Sequence, residues 1–273
     1  MDSLKPYQDE FGIKVDKKYQ EFIDDFVMYE TEAEPSIIKN IMPKDVDIIG
    51  FTQEKLAAAT SSYMQTGTTV KKLFSTAKLQ TINYMNREAA IGFLNGETTQ
   101  QIIKRISDRS IYSERETKAI IRTSLNHVAN QARRLVGEEN SDIIKYVEWV
   151  STLDFRTSDI CRYRDGKRYK LNDKTPMPPA HINCRSTIVY ITKFDNLENE
   201  YGRASTDGLT DSSTTYYEYL KRQSKENIHA ILGVERGDLF ISGKLTGEQL
   251  HARDGKMLTL EELRKKFLNK AEK

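Results

Sequence analysis

Near residue 143 the spacing of the apolar residues changes, and that change limits the fold more than any other feature of the sequence. Before it, apolar side chains recur at three- and four-residue intervals; after it, they alternate. The stretch "SERETKAIIRTSLNHVANQARRLVG" shows the first pattern, with Ile120, Ile121, Leu125, Val128, Ala132 and Leu135 along one helical face. The stretches "IIKYVEWVSTL" and "RSTIVYIT" show the second, mixing β-branched and aromatic residues as half-buried strands do. The expected class is therefore α+β. An N-terminal helical region is followed by a small β module and a C-terminal helical extension.

Four segments follow from the punctuation. Residues 1–50 form an acidic, aromatic N-terminal arm in which Tyr19, Phe22, Ile23, Phe26 and Val27 have helical spacing, and Pro35 and Pro43 break it into irregular structure. That stripe needs a surface to cover it, on this chain or on a partner. Residues 51–137 are a helical region. Thr98 with Gln101 and Ser113 with Glu116 have capping-box spacing, and Gly137 is the expected helix stop. Residues 138–202 are the β module, with Asp165-Gly166 as a hairpin turn. Residues 203–273 are a polar linker through 215 and then the C-terminal extension. There a helix starts near Tyr216, and Thr259 with Glu262 caps a short basic terminal helix.

Composition narrows the class. No apolar run approaches the roughly 20 residues of a membrane span. The first residues lack the basic and apolar regions of a signal peptide. With 38% hydrophobic and 30% charged residues, helices with broad solvated faces around modest cores are expected. A net charge of +2 means that nucleic-acid contact would come from local patches. Two cysteines make no secreted disulfide scaffold, so the chain reads as one made in a reducing cytoplasm.

Those cysteines carry the most pointed question. Cys161 lies in "TSDICRYRDGK"; His181 and Cys184 lie in "PPAHINCRST". The set could be a metal clip, a redox pair, a catalytic Cys/His pair or packing. Zinc favours thiolate and imidazole, but a structural site normally takes four protein ligands and three good ones are present. A disulfide suits a reducing compartment poorly. A cysteine nucleophile needs an activating base and an orienting group, and no orienting group is evident. In the packing alternative His181 bonds backbone carbonyls of a proline-rich turn while both thiols pack as small hydrophobes.

Elsewhere, His127 reads as a satisfied helix-face residue, and His229 and His251 as surface. The basic runs around Lys167, Arg168 and Lys170, and around Arg264, Lys265 and Lys266, are candidate phosphate contacts. No P-loop, dinucleotide fingerprint or serine nucleophile elbow occurs.

Taken in order, "IIRTSLNHVANQARRL", "YVEWVSTLDFRTSDICRYRDGKRY" and "MPPAHINCRSTI" resemble the phage Mu F-like minor head proteins, also called phage head morphogenesis proteins. Trp149, Asp154, Arg156, Thr157, Cys161, Asp165, Gly166, Pro179, His181, Cys184 and Arg185 stand at the family's motif positions. The stretch from Tyr216 to about 262 is similar to an extension that many members carry. Many members have further cysteines where this chain has Ser158 and Ser186. The resemblance therefore implies a structural clasp, a degenerate metal clip in which zinc would rest on Cys161, His181 and Cys184. It also implies a minor capsid component inside the virion head, assembled in the host cytoplasm. Such a component is bound to the portal, near packaged double-stranded DNA, and aids head assembly or genome delivery without catalysis. The rival readings are a metal-dependent enzyme or toxin-like module, and a weak, sequence-independent nucleic-acid binder.

Overall fold

The apolar stripe of the "SERETKAIIRTSLNHVANQARRLVG" segment becomes the central helix of a computed structural model that describes residues 5–74, 79–98, 101–102, 104–105, 115–172, 174–194 and 202–268. The class is α+β. The chain divides into two compact units, one of residues 1–147 with 170–194, the other of residues 148–169 with 195–273. Of the stretch read as the β module, 148–169 thus fall in the second unit and 170–194 in the first.

The first unit holds α1 (Lys5–Ile41), α2 (Gln53–Thr60), α3 (Val70–Phe74), α4 (Leu79–Leu94) and α5 (Arg115–Glu139). It also holds the start of β1 (Ile144–Val150) and all of β3 (Thr187–Thr192), which pairs with β1. Leu125, Val128, Ala132 and Val136 of α5 are fully buried with Phe22, Phe26 and Ile38 of α1 and Leu56 of α2. The aromatic arm therefore covers its stripe on its own chain. Phe22, Ile23, Phe26 and Val27 are buried, and Phe26 and Tyr29 stack on Phe93 of α4 with ring centroids 5.3 and 5.2 Å apart. The side chain of Tyr19 lies outside the described residues.

Three local expectations give way to packing here. Pro35 does not break the arm: α1 runs through it to Ile41, with Ile38 wholly buried one turn on. A mid-helix proline costs about 3 kcal/mol or more, which the burial of the whole apolar face of α1, Ile38 with Phe22, Ile23, Phe26 and Val27, exceeds. Nor does Gly137 stop α5, which continues to Glu139. Glycine at 137 serves close approach instead, since a Cβ there would meet Leu171 Cδ2 at 2.5 Å. Asn140 ends the helix, its side chain donating to the Val136 and Ile49 carbonyls, each at 2.8 Å. The capping box of Thr98 and Gln101 forms, and the Ser113 and Glu116 pair lies outside the described side chains.

The second unit holds the end of β1, α6 (Asp159–Arg164), β2 (Arg168–Tyr169), β4 (Gly202–Ser205) and β5 (Gly208–Asp211). Then come α7 (Tyr216–Lys221), α8 (Lys225–Leu232), α9 (Val234–Ile241) and α10 (Leu260–Leu263). Its core gathers Leu153, Tyr216, Leu220, Leu232, Phe240, Leu250 and Leu263. Asp165-Gly166 does turn the chain, with Gly166 at φ +74°, but the turn joins helix α6 to β2 and not strand to strand. The expected linker is an antiparallel hairpin, with Gly202 opposite Asp211 and Ser205 opposite Gly208. Its first strand is fixed by Arg203, described below. The capping box of Thr259 and Glu262 forms as expected.

Candidate functional site

In the first unit the motif segment 181–188 is held by one polar face of α5. Thr123, Asn126, Asn130 and Arg133 recur at helical spacing, so they line up along one side of the helix. The Thr123 hydroxyl accepts from Asn183 N at 2.8 Å, and Asn126 Nδ2 donates to Ser186 O at 2.8 Å. Asn130 Oδ1 accepts from Ile188 N and from the Thr187 hydroxyl, both at 3.2 Å. Arg133 donates to that hydroxyl at 3.0 Å, and Arg122 bonds the Asn183 side chain. Asn183 sits at φ +64°, a left-handed conformation that asparagine tolerates and most residues resist. Behind the strand, Tyr190 OH lies 3.0 Å from both Glu34 Oε1 and Arg133 O.

Within this segment the Cys184 amide donates to the His181 carbonyl at 3.2 Å, closing the turn. The His181 Nδ1 donates to Ile182 O at 2.9 Å, as the packing alternative expected. A hydrogen bond with the Cys184 side chain is the main influence holding the imidazole pKa above its usual value, against the pull of burial. Cys184 is fully buried and forms no disulfide. A cleft of about 320 Å³ opens beside it, lined by Glu30, Glu34, Arg122, Arg133, Cys184 and Arg185 among others.

The second unit spends its motif residues on turns. Trp149 is fully buried; its Nε1 donates to Ser151 Oγ at 2.9 Å, and that hydroxyl donates to Cys161 O at 2.9 Å. Asp154 Oδ1 accepts from Arg156 N at 3.0 Å, and the Thr157 hydroxyl donates to Thr152 O at 2.5 Å, which fastens the Asp-x-Arg-Thr turn. Asp165 is the hub. Its carboxylate accepts from Ser151 N and Tyr216 N at 2.6 Å each, and from both terminal nitrogens of Arg203. Burial holds the Asp165 carboxyl above the usual carboxylate range, and Arg203 with the two amides pulls the other way. Cys161 is buried on α6 and forms no disulfide.

Of the remaining histidines, His127 is satisfied as the sequence reading expected, and His251 and His229 diverge from it. His127 is buried and satisfied, its Nε2 3.2 Å from Thr60 O, and desolvation lowers its pKa to about 4. His251 is not at the surface: it is buried, with Nδ1 3.1 Å from Gly247 O and Tyr163 and Tyr217 against its ring. Burial lowers its pKa. His229 is mostly covered and pairs with Asp238 at 3.0 Å. Tyr163 and Tyr217 close over the His251 ring and Gly237 lies against His229, and no local periodicity announced that.

Half of the basic candidates are engaged. Arg168 pairs with Glu148 at 2.8 Å, Arg264 with Glu235 at 2.9 Å, and Lys167 lies 3.0 Å above the Tyr163 ring and 3.9 Å from Glu248. Lys170, Lys265 and Lys266 are exposed. Arg203, Asn126 and Asn130 were missed altogether. The i, i+4 spacing of Asn126 and Asn130 beside the apolar stripe of α5 was the available signal; Arg203 had none.

For zinc, the donor chemistry falls short. Two thiols and one imidazole are one ligand fewer than a closed structural site takes. At the positions where the resemblance implies further cysteines stand hydroxyls, and Ser158 Oγ is buried without a hydrogen-bond partner.

Residues 83–189 match the family model described as Phage Mu protein F like protein. The family is one of phage head morphogenesis proteins. No curated protein and no solved structure matches the chain. Among the described residues no helix is long and apolar enough to cross a membrane.

Proposed function

We propose that this chain is a minor capsid protein inside a tailed-phage head, bound to the portal and near packaged DNA, where it aids head assembly or genome delivery. The observation that carries the reading is the family match over 83–189. What supports it further is the use of the motif residues: Asp154, Thr157 and Asp165 are consumed by backbone and ion-pair contacts that build turns. A residue spent in that way offers no base or nucleophile, so we propose that the protein has no turnover of its own. It is made in the host cytoplasm and ends in the virion.

Mass spectrometry of heads from the encoding phage tests the reading. The protein is expected in few copies per head and in a complex with the portal; its absence from purified heads would overturn the assignment. DNA contact is proposed through Lys170, Lys265 and Lys266, the exposed members of the two basic runs. Few phosphates are reached, so binding should be weak, indifferent to sequence and steeply reduced by salt.

A further inference from the structure

The cleft of about 320 Å³ beside Cys184 is walled by α1, α5 and the segment 184–187, all of them in the first unit. Its charged lining differs in depth. Glu30 and Glu34 of α1 are buried, whereas the guanidinium groups of Arg122, Arg133 and Arg185 are each partly exposed. A ligand arriving from solvent therefore meets positive charge first. Arg133 also keeps donors to spare. Among the described residues its guanidinium makes one hydrogen bond, to the Thr187 hydroxyl at 3.0 Å, out of five N–H donors. Its Nη2 lies 3.5 Å from Glu34 Oε2, a buried oxygen that accepts no hydrogen bond, while Tyr190 OH takes Oε1 at 3.0 Å. The ion pair thus holds the guanidinium in the cleft without using up its donors. Arg122 and Arg133 are eleven residues apart on α5, about 16 Å along its axis. One carboxylate or phosphate cannot span that length, and about five residues of extended chain can. The α1 wall adds an apolar row, Tyr29, Ala33 and Ile37 at four-residue spacing, with Ile37 53% exposed.

We propose that this cleft binds an extended acidic segment of another polypeptide. Its carboxylates are received by Arg122, Arg133 and Arg185, and its apolar side chains by the row on α1. The planar guanidinium fork matches a carboxylate through two parallel hydrogen bonds, and clusters of arginine are a recurrent means of holding acidic segments. The cleft suits duplex DNA poorly. A duplex carries a charge every ~1.7 Å, and most of these would face an α1 wall that has six carboxylates and no lysine or arginine from Glu21 to Glu34. A peptide places its few carboxylates at the arginines alone. The proposal stands on the cleft and adds a partner to the head-protein reading without resting on it.

The test uses the full chain and two ten-residue peptides with blocked ends, one alternating glutamate with alanine, the other glutamine with alanine. Calorimetry at low salt should show binding of the glutamate peptide and none of the glutamine peptide. In the unsubstituted protein the Nε–H resonance of Arg133 should move as the glutamate peptide is added, a readout that needs no variant. Arg122→Gln and Arg185→Gln should each weaken binding about tenfold, the loss of one charge-assisted contact. Lys145→Gln, at an exposed site outside the cleft, should leave it unchanged. An unaltered melting temperature certifies the fold of each variant, and where one fails to fold the Arg133 resonance decides. Equal binding of the two peptides, a stationary Arg133 resonance, or undiminished binding by the folded cleft variants would overturn the proposal. A twelve-base-pair duplex that displaces the peptide and is itself weakened by the same substitutions would give the cleft to nucleic acid. A dimer in sedimentation that Arg122→Gln breaks would give it to a second copy of this chain. Either result would overturn the proposal as well.

Discussion

Asp165 and Arg203 meet through both terminal guanidinium nitrogens, at 2.5 and 3.0 Å, with the carboxylate side chain wholly buried and the arginine 11% exposed. Two further contacts tie the same arginine to the Thr214 and Ser151 carbonyls. Replacing Arg203 by Met would leave a buried carboxylate with two amides and no counter-charge. Breaking one partner of such a pair costs about 3–5 kcal/mol. Chemical denaturation of Arg203→Met should show that loss, and a change under about 1 kcal/mol would mean that the ion pair contributes little.

Asn130 clamps the strand that follows the Cys184 turn. Asn130→Leu keeps the volume and removes the acceptor shared by Ile188 N and Thr187 Oγ1. Leaving a buried amide unpaired costs about 1–3 kcal/mol. Amide hydrogen exchange should quicken at Ile188 by about tenfold or more, while the core of α5 near Leu125 changes little. Equal protection in the variant would show that β3 is held by its sheet partner alone.

His127 sets the acid limb of stability in the first unit. Its pKa is lowered to about 4 in the fold and lies near 6.5 when exposed, so the unfolded chain binds more protons between those values. Stability should therefore fall as the pH drops from about 6.5 to 4, by about 3 kcal/mol at most, and the histidine contribution should level off below that. His127→Gln retains a donor toward the Thr60 carbonyl and cannot titrate. Urea melts across this range should be flatter for the variant; parallel curves would assign the acid limb to carboxylates.

Zinc analysis addresses the cysteines. On donor chemistry we expect less than stoichiometric zinc in purified protein, and a melting temperature indifferent to chelator. Stoichiometric zinc that disappears in His181→Ala would reverse this and make Cys161, His181 and Cys184 ligands.

What could be read from the chain ahead of the structure follows the range of the interactions. Thr98 with Gln101 and Thr259 with Glu262 were legible because each partner lies three residues away. The stripe of Phe22, Phe26 and Val27 was legible as a periodicity, though not the surface it covers. Pro35 misled because its local cost is outweighed by the burial of the apolar face of α1, Ile38 included, a tertiary effect. Of the Cys/His motif, the turn and the Nδ1 bond of His181 were anticipated. The asparagine clamp was not, because its partners lie about 60 residues apart along the chain. Arg203 looked like linker for the same reason: its carboxylate is 38 residues upstream.

Strand β1 passes from one unit into the other between Val147 and Glu148, and this has a consequence for synthesis on the ribosome. The first unit is complete once Phe194 has emerged, whereas the second waits for Leu263, the last residue of its core. At about 5–20 residues per second the interval is on the order of ten seconds. During it Leu153 and the Asp165 carboxylate are already made, and the hairpin and helices that seal them are not. The nascent chain then exposes an apolar surface tethered to a finished domain, which is the state a chaperone would meet.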